Sequence, residues 1–427
     1  MREKAGGVLR HPGFRRLWLA NLAGDLGQQF SVVALSTTAV LVLHAGAGQV
    51  GLITALAFAA HLVLGLPVGV WVDRWPAKPV LLAADVCRAL AVGSVPLAFA
   101  LGRLTVGQLM VVAAVVGAAG VFFDTAHTSV LPVLVSRSGV SEANARLQTS
   151  DTTLNVVGPG LAGQALRISS GPALYAVTAL MHLVSAAFVL SMRVPASPRR
   201  TGVPEAFRAS LTTGLRFVVT HPVLRPLMLI NAATNLGAGI FLAVLPVYVL
   251  RTLGIAPATY ALVVSVGSLG GLTGSLVALP VQRLLGAIRT KVVAACVLPG
   301  AFLALPLGAD LPVPPVVPVG LAEFLVGLVI IVGQVSTAGV RARVTPHLLM
   351  GRVSSASRFV TLGAVPVGAL LGGAVGTAAG ELIALWLAAA LAAVGGGVCL
   401  LSPLRPMRDL PEHLAAPDEP APAPLPS

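Results

Sequence analysis

The 427-residue chain is 56% hydrophobic and only 10% charged, with a mean hydropathy of +0.91, whereas soluble domains carry about 25% charged residues. A soluble protein of this size could not hide so much apolar surface, so lipid must form part of its solvent. The net charge of +13 does not point to a nucleic-acid partner, because the basic residues form no stripe or patch and sit in short loops between apolar runs, where they orient helices.

A helix needs about 20 apolar residues to cross a bilayer. The sequence offers twelve such runs, at about 17–43, 49–72, 79–101, 106–126, 147–168, 172–192, 224–250, 258–280, 291–308, 316–338, 353–377 and 381–401. The first follows a basic N-terminus, as in a signal peptide, but it continues for about 27 residues with no convincing cleavage site and reads as a retained helix. Six runs fall in residues 1–192 and six in 224–401. Between them lies a basic connector, 193–223, with a short amphipathic helix expected near 207–219. The tail, 402–427, is rich in Pro and Ala and is expected to be disordered.

The loops alternate in basic content. The N-terminus, 73–78, 127–146, 193–225, 283–291, 341–358 and the tail together hold 24 Lys and Arg, while the opposite loops hold three, Arg103, Arg167 and Arg251. This asymmetry predicts a multi-pass protein of the plasma (inner) membrane with both termini cytoplasmic. Six spans per half give the two halves the same orientation. An internal repeat agrees: residues 11–27 recur at 221–237, with nine of 17 positions identical at an offset of 210. His11-Pro12 is answered by His221-Pro222, Asn21 by Asn231 and Gly27 by Gly237. Such internal repeats characterise many secondary transporters.

Few polar residues interrupt the runs. Asp25 lies about 12 Å into the first, at 1.5 Å per residue, with Asn21, Gln28 and Gln29 on its face. An intramembrane carboxylate is by default a functional candidate; a proton or substrate role and a structural hydrogen-bonding role are both open for it. Its repeat mate is Asn235, with Asn231 one turn earlier. Glu323 in the tenth run lies about 10 Å from the outer end, at the same rise per residue, and Gln334 continues its face. His61 and His182 sit near mid-run, as pH sensors or as neutral interhelical contacts. Cys87, Cys296 and Cys399 read as small buried hydrophobes. The three lysines, Lys4, Lys78 and Lys291, form no phosphate-binding loop. With no metal-ligand cluster and no nucleophile elbow, neither a cofactor nor an enzyme is expected.

The segment Gly69-Val70-Trp71-Val72-Asp73-Arg74-Trp75-Pro76-Ala77-Lys78 resembles the G-x-x-x-D-R-x-x-x-R/K loop of the major facilitator superfamily, and it lies between the second and third of twelve runs. Asp85-Val86-Cys87-Arg88, Phe122-Phe123-Asp124, Glu142-Ala143-Asn144, Gly158-Pro159-Gly160 and Gly351-Arg352-Val353 are similar to its secretion-effector branch of enterobactin-type and macrolide-type exporters. Leu154 stands where the branch's helix-five motif usually has glycine, and His127 where a basic residue is common. The resemblance implies an all-α polytopic fold of twelve transmembrane helices in two pseudo-symmetric six-helix bundles, with runs one, four, seven and ten lining a cavity. Asp25 and Glu323 are then the proton-coupling candidates, and Asn21, Gln28, Gln29, Asn231, Asn235 and Gln334 the substrate-cavity candidates. Gly69, Asp73, Arg74, Lys78, Asp85, Arg88 and Asp124 would form a conformational latch, with Arg341, Arg343 and Arg352 as partners from the second half. The implied function is proton-coupled export of a small apolar or amphipathic molecule. An importer, a lipid-handling facilitator and a non-transporting scaffold or sensor are the alternatives.

Overall fold

The computed structural model describes residues 8–65, 67–72, 74–136, 139–194, 207–309, 311–346 and 349–414. The first half supplies α1 (Pro12–Thr37), α2 (Ala47–Leu64), α3 (Pro67–Val72), α4 (Ala77–Ala100), α5 (Val106–Leu134), α6 (Val140–Ala165) and α7 (Gly171–Ser191). After α8 (Phe207–Thr220) come α9 (Leu224–Val247), α10 (Pro257–Leu285), α11 (Ala287–Gly308), α12 (Val316–Val344), α13 (Met350–Ala379) and α14 (Glu381–Leu401).

Ten of the described helical stretches are long and apolar enough to cross a membrane. The other two long helices, α1 and α6, have 26 residues each but carry Arg15, Arg16, Asp25, Gln28 and Gln29, or Glu142, Arg146, Gln148, Asp151 and Asn155. Their polar faces are usable because α1 and α6 pack on each other.

Several boundaries differ from the sequence reading. The run at 49–72 is two helices, α2 and α3, with Pro67, which has no N–H to donate, at the first position of α3. The loop expected at 127–146 is mostly helix, since α5 runs to Leu134 and α6 begins at Val140. Thr125, Thr128 and Ser129 return their hydroxyls to carbonyls three or four residues back and add no polar burden to the extension. The expected amphipathic helix of the connector is α8, which packs on α13. Residues 402–414, expected to be disordered, are anchored: Leu404 and Leu410 are buried. Asp409 Oδ1 accepts the Ala287 N–H at 2.8 Å, capping the exposed donors that begin α11. Residues 415–427 lie outside the described residues.

Helix packing repeats between the halves. In the first, α1 packs on α6 and α7, α4 on α5 and α7, and α2 on α5; in the second, α9 packs on α13 and α14, α11 on α12 and α14, and α10 on α12. The 210-residue offset also persists beyond the recognisable sequence repeat. Helix α1 runs into a single π-helical turn at Thr38–Val42 and α9 into another at Tyr248–Thr252, and α2 and α10 begin at Ala47 and Pro257.

The halves meet along two seams, α2 with α13 and α6 with α10. A Cβ on Gly51 would stand 2.5 Å from the Ala369 carbonyl oxygen and 3.0 Å from Gly373 Cα, so backbone meets backbone there. The counterparts at the same offset are Ala261 and Gly163, where a Cβ on Gly163 would lie 2.8 Å from Ala261 Cβ. The end of the bundle remote from His11 and His221 is closed by further links between halves. Arg251 donates to the Val40 and Ala45 carbonyls at 3.2 and 2.8 Å. Tyr260 Oη donates to Ser36 Oγ at 3.2 Å, and Gly48 N–H to Thr377 Oγ1 at 2.9 Å. The buried core follows suit. One apolar cluster joins both halves at this end, including Phe30, Val33, Ile240 and Val244. At the opposite, basic end the core divides into one cluster per half.

The seam geometry predicts that Gly51→Val pries the closed end apart. A cysteine replacing the buried Ser36 then reacts with a water-soluble maleimide about tenfold faster, the signature of a 1.4 kcal/mol shift between states. Gly320→Val, where a Cβ meets nothing within 4 Å, leaves the rate unchanged. Equal rates in the two variants would show that the seam does not hold this end shut.

Candidate functional site

At the basic end the halves diverge around two adjoining pockets that share Arg358 and Leu362. One, of about 300 Å³, is bounded by α9, α11, α12 and α13 and lined by Asn231, Asn235, Lys291, Gln334, Thr337 and Arg341. The other, of about 370 Å³, lies between α2, α5 and α13 and is lined by His61, Asp124, Thr125, Thr128 and Ser355. Asn231, Asn235 and Gln334, read from sequence as cavity candidates, line the first pocket, and Asp124, read as a latch residue, lines the second. Asp124 lies within Coulombic reach of His61 and of Arg358 from the other half.

The polar face of α1 is divided in use. Gln28 is exposed, but Gln29 donates to Asn155 Oδ1 at 2.9 Å, and Asn155 in turn donates to the Asp151 carbonyl and carboxylate. Gly158 leaves room for Gln29, since a Cβ there would lie 2.6 Å from its Cβ. Trp18 Nε1 donates to Ser150 Oγ at 2.9 Å, so the same face ties α1 to α6. Asp25 stands apart. Among the described residues its one hydrogen bond comes from Asn21 Nδ2 at 3.4 Å and it has no ion pair, although Asp151, Asp124 and Arg88 are within Coulombic reach.

Glu323 is elsewhere. Its carboxylate rests on Gly267 of α10, at a place that a Cβ on that glycine would occupy. It makes no hydrogen bond or ion pair among the described residues. Tyr260, which bonds Ser36 across the halves, is within its Coulombic reach. Glu323 therefore borders the closed end, outside both basic-end pockets.

The expected latch is mostly not a link between halves in this state. Asp85 is wholly buried and Arg88 is 7% exposed. Arg88 Nη2 meets Asp85 Oδ1 at 2.6 Å, Ser185 Oγ donates to Asp85 Oδ2 at 2.6 Å, and His182 Nδ1 lies 3.8 Å from Asp85. The guanidinium also lies 4.4 Å from the centre of the Phe123 ring, a cation–π geometry. All these partners belong to the first half, so Asp85 and Arg88 do not reach Arg341, Arg343 or Arg352; Arg343 lies instead 3.9 Å from Asp409. Lys78 donates to the Leu190 and Met192 carbonyls at 2.8 and 2.7 Å, closing the C-terminus of α7. Arg74 is exposed, Gly69 has open space where a Cβ would project, and Asp73 lies outside the described residues.

Two of the charged cavity residues, Arg358 and Lys291, are not among the site residues that the sequence indicates. Arg358 was counted only among loop cations. Lys291 was assigned to the 283–291 loop, yet it is 4% exposed and donates to Asn231 Oδ1 at 2.7 Å.

The buried pair makes a stability prediction. Asp85→Asn leaves Arg88 buried without its counterion and lowers stability by about 3–5 kcal/mol, whereas Asp85→Leu combined with Arg88→Met recovers most of that loss. Thermal unfolding of the detergent-purified variants reads both. A double variant no more stable than Asp85→Asn would rule out charge burial as the cause.

Residues 17–361 match the sequence profile of the Major Facilitator Superfamily. The multidrug efflux pump Tap of Mycolicibacterium fortuitum is 30% identical over 387 residues, covering 87% of this chain and 91% of the pump. The pump of the same name from Mycobacterium tuberculosis is 30% identical over 405 residues, 91% of this chain and 92% of its own. Among solved structures, the nucleoside transporter NupG superposes with a TM-score of 0.73 at 12% identity, over 91% of this chain and 98% of its own. A bacterial homologue of the iron transporter ferroportin, in its inward-facing state, gives 0.70 at 16% identity, over 92% and 99%. The profile match, the all-helical fold and the paired packing agree: this chain belongs to the major facilitator superfamily and is a multi-pass membrane transporter of small molecules.

Proposed function

We propose that this transporter exports a small apolar or amphipathic molecule, such as a drug, siderophore or secondary metabolite, in exchange for protons. Residues 1–192 and 224–401 rock as two bundles about a midplane site. The observation that carries proton coupling is the state of Asp25: a carboxylate within the spans, hydrogen-bonded only to the neutral Asn21 and without an ion pair among the described residues. A group so placed can exchange a proton as solvent access alternates, without first breaking a salt bridge. The relatives named as multidrug efflux pumps support the outward direction. The 24-to-3 distribution of Lys and Arg supports a cytoplasmic basic end, which makes the present state open to the cytoplasm. Asn21, Gln28, Asn231, Asn235 and Gln334 supply polar anchors for cargo. Glu323, beside the outer seam, is the second coupling candidate, positioned to meet protons when that end opens. Asp124 and Arg358 face each other across the mouth and approach as the cytoplasmic side closes, with the Asp73–Arg74 loop reinforcing that closure.

Asp25→Asn keeps size and hydrogen bonding but cannot exchange a proton. This variant is expected to lose gradient-driven export while still binding cargo, and Asp25→Glu to keep part of the activity. The measurement is accumulation of a compound panel in expressing cells, with and without a protonophore. Wild-type export with unchanged pH dependence in Asp25→Asn would reduce Asp25 to a structural role and move coupling to Glu323.

Orientation has its own test, in a background lacking Cys87, Cys296 and Cys399. A cysteine at Ile168, which is 92% exposed, reacts with an impermeant maleimide on intact cells, whereas one at the exposed Thr220 reacts only after permeabilisation. The reverse pattern would invert the topology and with it the direction of transport.

A further inference from the structure

The pocket of the second half brings three cations together without an acid. Lys291 from α11, Arg341 from α12 and Arg358 from α13 line one cavity, and none of its described lining residues is Asp or Glu. Arg341 and Arg358 lie within Coulombic reach of each other, and neither forms an ion pair among the described residues; Asp124 of the adjoining pocket is the carboxylate within reach of Arg358. Lys291 is the most constrained. It is 4% exposed, and its ammonium, with three N–H donors, meets among the described residues only the neutral Asn231 Oδ1, at 2.7 Å. Glycine at position 333 leaves space for it, since a Cβ there would lie 3.2 Å from Nζ. Cys399, on α14, is the further titratable group within its Coulombic reach.

An ammonium removed from water without a counterion costs several kcal/mol, and ionisable residues kept inside spans are ordinarily paired or functional. Here the protein supplies one neutral amide and two more cations. Leu298, Val329, Ile330 and Leu362 complete the walls with apolar surface. We infer that this pocket is an anion-recognition site for a small amphiphile: a carboxylate, sulfonate or phosphate held by Lys291, Arg341 and Arg358, with its apolar body against the aliphatic wall. Planar guanidinium groups suit such oxyanions, and a volume of about 300 Å³ admits a molecule of one or two rings. That this anion is the transported cargo rests on the transport reading above; the existence of the site does not.

The test uses two probes that differ in charge but hardly in shape, 2-naphthoate and 2-naphthamide. They are titrated calorimetrically into the full-length protein in phosphatidylcholine nanodiscs, with no gradient and no flux. Naphthoate is expected to bind at least about tenfold more tightly than naphthamide, a difference of 1.4 kcal/mol. Lys291→Gln loses that preference and Lys291→Arg retains it. Without ligand, Lys291→Gln unfolds at or above the wild-type temperature, because it no longer buries a charge. Should that variant fail to fold, the lysine is a structural strut and the inference falls, unless Arg341→Gln and Arg358→Gln each lose the preference on their own. Equal binding of the two probes, or naphthoate binding unchanged in Lys291→Gln, overturns it as well. Nanodiscs containing phosphatidylglycerol separate the sources of anion: competition with naphthoate there assigns the site to a lipid headgroup and withdraws the cargo reading. Because no step depends on protons or transport, failure of the Asp25 experiment leaves this result standing, and the converse also holds.

Discussion

Gly51 and Gly373 allow α2 and α13 to meet with only backbone between them, and the form of the cavity depends on that contact. In a bilayer, helices gain nothing by hiding apolar side chains from one another, because lipid is equally apolar; close packing and hydrogen bonds must hold them together. The equivalent contact on the other seam sets Gly163 against the Cβ of Ala261. With both seams tight at one end, the apolar core there runs unbroken through both halves. At the other end it separates into two clusters, and the space between them is where the polar and charged side chains of α5, α9, α12 and α13 collect.

The two halves treat their buried charges differently. In the first, Asp85 has Arg88 and Ser185 as direct partners, and the guanidinium also lies over Phe123. Such a self-contained cluster adds little net stability over well-packed apolar residues of equal volume, but losing one member is costly. In the second, Lys291 is paired with an amide alone, and two arginines share its pocket. Pseudo-symmetry of the backbone therefore does not extend to electrostatics: the first half pairs Arg88 with Asp85 but brings Asp124, unpaired among the described residues, to a pocket wall, and the second gathers Lys291, Arg341 and Arg358 in a pocket whose described lining holds no carboxylate.

The architecture was legible in the sequence because hydropathy reports span length and the 11–27 and 221–237 repeat reports two-fold organisation. The repeat could not be followed into the π-helical turns. Thr38–Val42 and Tyr248–Thr252 have no residue in common at equivalent positions, and only the backbone shows their equivalence. Site residues were harder to place, since sequence gives a residue's depth along a helix better than the direction in which it points. Asn231, Asn235, Gln334 and Asp124 do face the pockets. Asp85, a latch residue by resemblance, turns into its own bundle in this state. Lys291 read as a loop cation because only one helical turn separates it from the basic loop, yet that turn is enough to bury it. The order of residues 402–414 is hidden for a related reason: the Pro-rich composition conceals Leu404, Asp409 and Leu410, whose contacts are tertiary.

Arg251 has a consequence for how such a chain can be assembled. It sits in the second π turn and donates to carbonyls at Val40 and Ala45 in and beside the first, while the residue at the equivalent place in the first turn is Leu41. The fastening is therefore one-sided. Two copies of the first half, associated symmetrically, would bring Leu41 to both positions and have no donor. Two copies of the second would place Arg251 beside its own twin, with like charges in an apolar setting, since a two-fold interface must present the same surface from both partners. A single fastening without a second arginine beside it arises only between unlike halves, and joining unequal halves in one polypeptide makes that pairing the default. The covalent connector thus does more than raise local concentration: it favours the lopsided bolt over the symmetric pairings.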